Sequence, residues 1–190
     1  MRTRTAESSS SRADLALSDE ALRDALTSSQ RLGMLGDRPI DEVLDHARAF
    51  VAALRDIGGF VVDLGSGGGV PGLVLASDRP DLHVVLVDRR RARTDHLQRL
   101  VRRLGLDSRV DVRAVDAFEL LMRPPANAVV ARGFASPAIT AAAAHPLLVD
   151  EGLLVVSEPP HGVLDRWVDV PGFTRRTWSD RRVAVLQRSR

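Results

Sequence analysis

VVDLGSGGGVPGLVLA, residues 61–76, decides the fold class of this chain, because it joins a short apolar run to a glycine-rich turn and the start of a helix. Three glycines alternate in the turn, and Asp63 precedes the first of them by two positions. Glycine is needed where the backbone must reach positive φ or where a ligand presses against the main chain. The following helix, entered at Pro71, would direct its N-terminal amides toward that ligand. The stretch therefore predicts a ligand-binding turn between a buried strand and a helix.

Three classes of ligand use such a turn, and the charge of Asp63 distinguishes them. A nucleoside triphosphate loop requires a lysine, and this chain contains none. A dinucleotide fingerprint can be matched to Gly67, Gly69 and Gly72, but Asp63 would then repel the pyrophosphate. S-adenosylmethionine carries an ammonium and a sulfonium and no phosphate, so a nearby carboxylate attracts it. The turn favours S-adenosylmethionine over a dinucleotide.

The rest of the chain predicts a parallel sheet that ends in a hairpin. Five runs are apolar on both faces, as buried parallel strands are, and they span residues 60–64, 83–88, 110–115, 128–131 and 152–157. A helical stripe at 92–104 lies between two of them. Strands that alternate with helices form a doubly wound sheet. The last two runs, 173–178 and 181–188, are separated by only two residues and predict an antiparallel hairpin.

The predicted fold is therefore α/β: a Rossmann-like, mostly parallel seven-stranded sheet of the class I methyltransferase type, with a C-terminal antiparallel hairpin strand and N-terminal helices. Residues 1–17 are serine-rich and predict a disordered tail. Residues 18–58 predict helices packed on the core, the first capped by Ser18 and the second starting at Pro39. Residues 59–190 form the predicted S-adenosylmethionine-binding domain.

Composition predicts one soluble, cytoplasmic domain. The chain has 190 residues, 44% of them hydrophobic, which suffices for one buried core. It has no cysteine, which excludes disulfides, thiolate metal sites and cysteine nucleophiles, and its five histidines lack paired metal-ligand spacing. We expect no metal site. The longest weakly polar stretch, 138–149, is shorter than the ~20 residues of a membrane span, and the N-terminus lacks the apolar core of a secretory signal.

Charge is distributed unevenly along the chain. The totals are 27 basic and 25 acidic residues, and every basic residue is an arginine. Residues 88–113 contain nine arginines and four aspartates, and residues 171–190 contain six arginines and one aspartate. These segments are compatible with a polyanionic partner. The run RRRAR at 89–93 either follows RNA phosphates or is the solvated start of a helix.

Further candidate site residues follow the other predicted strands. Asp88 ends the second strand, where a carboxylate can bind both ribose hydroxyls, as it also does in NAD enzymes. Asp116, followed by Ala117 and Phe118, lies where an adenine can be bonded and covered; the alternative is a loop cap. Arg132 ends the fourth strand and could hold a phosphate or a base edge, or form a structural salt bridge.

These motifs resemble the RsmG or GidB family of bacterial methyltransferases, which modify the seventh-position nitrogen of a guanine in small-subunit ribosomal RNA. DLGSGGGVPGLVLA at 63–76 is similar to the family pattern DxGSGxGxPGxxLA. The resemblance extends to RLGMLG at 31–36, Asp45-His46, VVARG at 129–133 and RRVAVLQR at 181–188. Where the family has Lys-Gly after the fifth strand, this chain has Ser157-Glu158, and the family's Arg-Ala-Glu after the third strand is Asp116-Ala117-Phe118 here.

The resemblance implies an S-adenosylmethionine-dependent rRNA methyltransferase with ribosomal RNA as partner. The implied cofactor-binding residues are Asp63, Gly65, Ser66, Gly67, Gly69, Asp88, Asp116, Ala117 and Phe118, and the implied catalytic residue is Arg132. A guanine ring nitrogen exposes a lone pair at neutral pH, so alignment suffices and no general base is required. Two alternatives remain: methylation of a small molecule, and a non-catalytic methyltransferase-like binding module.

Overall fold

We describe a computed structural model of the chain. It describes residues 7–158, 166–180 and 182–189, with side chains from Asp19 onward. The helices are α1 (Glu7–Arg31), α2 (Ile40–Ala53), α3 (Gly72–Asp78), α4 (Arg91–Arg103) and α5 (Pro137–Ala144). The strands are β1 (Gly59–Leu64), β2 (Leu82–Val87), β3 (Val110–Arg113), β4 (Ala126–Ala131), β5 (Leu148–Ser157), β6 (Phe173–Arg176) and β7 (Val183–Arg188).

The seven strands form one sheet in the order β3-β2-β1-β4-β5-β7-β6. Strands β1 to β5 are parallel to one another, whereas β7 runs antiparallel to both β5 and β6. This order confirms the predicted fold class. The strand order reverses between β1 and β4, and ligands of open α/β sheets bind at the carboxyl ends of the strands at such a point.

Both faces of the sheet are covered, which explains why its strands are apolar without alternation. In β1, Val61 faces the core formed with α1 to α4, while Val62 and Leu64 face the core formed with α5. All three side chains are fully buried. The continuously apolar runs form strands of this sheet because side chains on both of its faces are buried.

The N-terminal helix begins earlier than the sequence predicted. Residues 7–17, expected to be part of a disordered tail, are helical, and Ser18 lies within α1 rather than capping it. Residues 1–6 lie outside the described residues. Extension of an existing helix costs little once its first turn is formed, and Leu22 and Leu26 anchor α1 in the core. This explains how a helix can continue through a serine run that has little to bury.

The second helix and the C-terminal hairpin follow the sequence more closely. Helix α2 begins at Ile40 with Pro39 at its N-cap, one residue from the predicted start. Strands β6 and β7 form the predicted hairpin, but they are joined by residues 177–182 instead of the two residues expected. Among the described residues, no helix is long and apolar enough to cross a membrane.

Candidate active site

The turn between β1 and α3 requires glycine for its backbone conformation. Gly65, Gly67 and Gly69 have φ values of 69°, 55° and 101°, in a region that other residues rarely adopt. A Cβ on Gly69 would lie 2.4 Å from Cδ1 of the buried Leu73. Gly69 is thus required by the backbone and by packing, while Gly65 lines a cavity described below.

Asp63 lies beneath this turn and is fully buried. Its Oδ2 accepts a hydrogen bond from the Gly72 N–H at the start of α3, with an N···O distance of 2.9 Å. Its Oδ1 is buried without a hydrogen-bond partner among the described residues. Burial raises the pKa of Asp63 to about 7, although the bond from Gly72 opposes the shift. The structure therefore shows Asp63 anchoring α3, whereas the sequence predicted a carboxylate in contact with the ligand.

The buried carboxyl of Asp63 predicts a pH-dependent effect of the substitution Asp63→Asn. Because the folded-state pKa is raised from 3.8 to about 7, the unfolded chain binds fewer protons between these values, and stability falls as pH rises through this window. We expect Asp63→Asn to be more stable than the wild type by on the order of 3 kcal/mol at pH 8 and by little at pH 4. Urea unfolding across this pH range measures the difference. The exposed Asp107→Asn is the control, and a stability difference independent of pH would contradict the prediction.

Ser66 crosslinks two strands through its hydroxyl. The hydroxyl donates to the carbonyl oxygen of Asp63 and accepts the N–H of Val87, each at 2.9 Å. The residue is buried. Its main-chain N–H donates to the carbonyl oxygen of Val87 at 2.9 Å, and its carbonyl oxygen accepts the Gly69 N–H at 2.7 Å, so the polar groups of Ser66 are engaged within the protein.

Asp88 holds the other side of the turn. Its Oδ2 accepts the Gly67 N–H at 3.1 Å and pairs with Nη1 of Arg93 at 3.2 Å, and its Oδ1 accepts the Arg90 N–H at 2.9 Å. The side chain is 5% exposed. These bonds fix a carboxylate at the end of β2, with lone pairs still able to accept from a ligand.

A cavity of about 400 Å³ opens beside this carboxylate. We call it the Asp88 cavity, and its walls include Gly65, Asp88, Asp116, Ala117, Phe118, Phe134 and Ile139. Asp116 accepts the Phe118 N–H at 3.0 Å through Oδ1, which is the loop cap considered from the sequence. Phe118 is nevertheless 61% exposed. The cavity thus combines carboxylates, open main chain and an aromatic side chain that the protein does not bury.

A second cavity of about 400 Å³ lies on the other side of Gly133. We call it the Arg132 cavity, and its walls include Arg38, His46, Arg132, Thr140, Glu158 and Trp167. Burial lowers the pKa of Arg132, and the guanidinium of Arg38 lowers it further. Burial also lowers the pKa of His46, with Arg132 as the next contribution. The cavity is therefore polar and positively charged on the Arg132 side.

The two cavities meet at Gly133, Phe134 and Ala135, which line both. The ring of Phe134 covers Gly65, because a Cβ on that glycine would lie 2.8 Å from Cδ2 of Phe134. The two cavities are therefore neighbours on either side of this short segment.

Some of the predicted site residues line the same cavity in the structure, and others do not. Gly65, Asp88, Asp116, Ala117 and Phe118 line one cavity, as the prediction of a common cofactor site requires. Arg132 lines the other cavity, and a smaller one of about 180 Å³ that it shares with Gly65, Ser66 and Gly67. Glu158 and Trp167 were not predicted as site residues; the position of Glu158 after the fifth strand was the available signal. Within the described residues, no group of three or more His, Asp or Glu side chains could hold a metal ion.

The fold and site together define a class I methyltransferase domain. The sheet order, the antiparallel β7 and a carboxylate-lined cavity at the strand-order reversal are the features of that class. A family model described as rRNA small subunit methyltransferase G matches residues 21–158. The chain therefore belongs to this family, also called GidB, as its motifs predicted.

Individual relatives agree with this assignment. The chain is 36% identical over 127 residues to a ribosomal RNA small subunit methyltransferase G from Mycolicibacterium gilvum, covering 65% of this chain and 56% of the relative. It is 34% identical over 132 residues to the protein of that name from Kineococcus radiotolerans, covering 68% and 52%. The chain thus spans about half the length of these relatives.

A solved structure has the same fold. A SAM-dependent methyltransferase from Thiobacillus denitrificans, in complex with S-adenosyl-L-homocysteine, superposes with a TM-score of 0.53 at 25% identity, covering 60% of this chain and 48% of that one. The ligand belongs to that protein.

Proposed function

We propose that this chain is an S-adenosylmethionine-dependent methyltransferase that methylates the seventh-position nitrogen of a guanine in small-subunit ribosomal RNA. The Asp88 cavity carries the proposal: a rigidly held carboxylate faces open main chain at the strand-order reversal, in a chain of the rRNA small subunit methyltransferase G family.

The residues of the Asp88 cavity fit the methyl donor. The carboxylate of Asp88 can accept hydrogen bonds from both ribose hydroxyls, and Asp116 and Phe118 can bond and cover the adenine. Arg93 in this wall is paired with Asp88 and helps to fix the position of the carboxylate. When bound, S-adenosylmethionine supplies a methyl group activated by its positively charged sulfur.

The Arg132 cavity fits the acceptor base. It shares Gly133, Phe134 and Ala135 with the Asp88 cavity, so we expect a base held there to lie next to the donor. The lone pair of that nitrogen forms the new bond to carbon while the carbon–sulfur bond breaks and its electron pair stays on sulfur. No proton moves, so the residues need only hold the base in line and keep water out.

The RNA backbone would approach the rim of the Asp88 cavity. Arg89 and Arg90 line this cavity and are exposed. They belong to the arginine-rich segment 88–113, and arginine binds phosphate through a planar array of donors. We therefore propose ribosomal RNA as the partner.

Small ribosomal subunits from cells that lack the gene test the proposal. We expect the purified protein to methylate one guanosine in such subunits, and not in subunits from wild-type cells, as measured by transfer of a labelled methyl group and mass spectrometry of the nucleosides. Donor binding without any transfer to subunits would favour a small-molecule acceptor. Lack of donor binding in calorimetry would indicate a non-catalytic module.

A further inference from the structure

The Arg132 cavity is lined by buried polar atoms that lack hydrogen-bond partners. Among the described residues, they are Nε2 of His46, Nη1 of Arg132, Nε1 of Trp167, and both carboxyl oxygens of Glu158. Buried polar groups are almost always bonded, because leaving one unbonded costs roughly 1–3 kcal/mol. Five such atoms in the wall of one cavity indicate a polar ligand that supplies the missing bonds.

Glu158 is the acceptor in this set, and the sheet fixes its position. It follows β5 directly, and its N–H donates to the carbonyl oxygen of Arg182 next to β7, at 2.8 Å. The residue is 8% exposed. Burial raises the pKa of Glu158, and the guanidinium of Arg175, whose Nη2 lies 3.7 Å from Oε1, opposes this shift only in part. Neither carboxyl oxygen has a hydrogen-bond partner among the described residues, so a ligand that donates to both would stabilise the charged form.

The four RNA bases differ in the hydrogen-bond donors that they can offer to such a carboxylate. Guanine is the RNA base that presents two adjacent donors, N1–H and the N2 amino group, on its Watson–Crick edge. A carboxylate accepts both at once, since it has two oxygens and no hydrogen. The neighbouring O6 of guanine is an acceptor, which matches the donors of Arg132 and Trp167. Adenine, cytosine and uracil each offer one donor position on this edge, and would leave one oxygen of Glu158 unbonded.

We propose that Glu158 recognises the acceptor guanine by binding N1–H and the N2 amino group of its Watson–Crick edge in the Arg132 cavity. The inference rests on the proposed function and extends it to a residue that selects the base. Binding through this edge leaves the seventh-position nitrogen unbonded on the other side of the base, as methyl transfer requires. Enzymes that act on a single base commonly take it out of its stack and read this same edge.

Removal of the N2 amino group tests the proposal without altering the protein. Small subunits are reconstituted with RNA that carries inosine, which lacks this group, at the guanosine that the wild-type protein methylates. We expect kcat/KM to fall by about 30-fold for inosine, the size typical of a bidentate base contact. Equal rates on guanosine and inosine would overturn the proposal.

The variant Glu158→Gln supplies the second half of the test. Glutamine keeps the shape but has one acceptor oxygen, and its amide group would face the N2 amino group. We expect kcat/KM on guanosine to fall by about 30-fold and the preference for guanosine over inosine to nearly disappear. Glu42→Gln, on the exposed start of α2, is the matched control and should behave as the wild type does.

Further measurements separate the possible failures. Donor affinity and the midpoint of thermal unfolding of Glu158→Gln should match the wild type, which shows that the variant is folded. If Glu158→Gln retains the full preference for guanosine, the assignment of Glu158 is wrong while the proposed function stands. If the wild-type protein methylates no guanosine in any subunit, the proposed function itself fails.

Discussion

Substitution of Gly69 by alanine is expected to destabilise the protein by about 4 kcal/mol, the sum of two separate costs. The first is the backbone: φ is 101°, which an alanine adopts only with strain. The second is packing, since the new Cβ would lie 2.4 Å from Cδ1 and 2.9 Å from Cγ of Leu73, a fully buried residue of α3. A loss of this size is a large part of the 5–15 kcal/mol that typically holds a domain together.

The variant Gly105→Ala separates these two costs. Gly105 also has positive φ, 65°, but a Cβ there would have no atom within 4 Å. Alanine at this position should cost only about 1 kcal/mol, from the backbone alone. Urea unfolding of both variants measures the difference, which isolates the contact with Leu73. Equal destabilisation by the two substitutions would show that Leu73 moves aside, and would contradict the assigned role of Gly69.

Replacement of Asp88 by asparagine is expected to reduce the affinity for S-adenosylmethionine by about 10-fold to 100-fold, because hydrogen bonds to a charged acceptor contribute roughly 1.5–3 kcal/mol. Asparagine keeps the size of the side chain but replaces one acceptor oxygen by a donor. That donor would also oppose the Gly67 N–H, which Oδ2 of Asp88 now accepts at 3.1 Å. Calorimetry with S-adenosylmethionine measures the loss directly.

Two controls assign the effect of Asp88→Asn to the ribose. Asp95→Asn, on the exposed side of α4, changes the same charge nearby and should leave donor affinity unaltered. A 2′-deoxy analogue of S-adenosylhomocysteine should bind more weakly than the parent to the wild type, and about as well as the parent to Asp88→Asn. If the variant still distinguishes the two ligands fully, Asp88 does not bind the ribose.

The fold could be predicted from the sequence because the patterns that indicate its strands and turn lie within short segments of the chain. Runs such as 60–64 and 83–88 are apolar on both faces, and only a covered parallel sheet buries such runs fully. The N-terminal boundary was missed for the opposite reason. Nothing in the serine-rich residues 7–17 indicates burial, and their helix continues from a segment held by Leu22 and Leu26 in a core built by distant residues.

The candidate site could be predicted from the sequence only in part. The position of Asp88 after a strand predicted its place at the sheet edge, because the carboxyl ends of parallel strands meet there. The role of Ser66 was not predictable, since its hydroxyl is engaged by Val87 of a neighbouring strand. Likewise, no local pattern brings His46, Glu158 and Trp167 together; they come from separate segments of the chain that line one cavity.

By itself, the sequence determined the strands and the positive-φ turn, whereas the ligand preference drawn from the charge of Asp63 assumed a contact that its burial beneath the turn does not provide. Periodicity, glycine spacing and the sign of a charge are properties of residues close together in the chain. The tertiary structure alone decided that Asp63 bonds to Gly72 beneath the turn, and that the carboxyl oxygens of Glu158 face a cavity unbonded. Whether a polar atom finds a partner depends on which distant segments pack against it, and that is settled only when the whole chain folds.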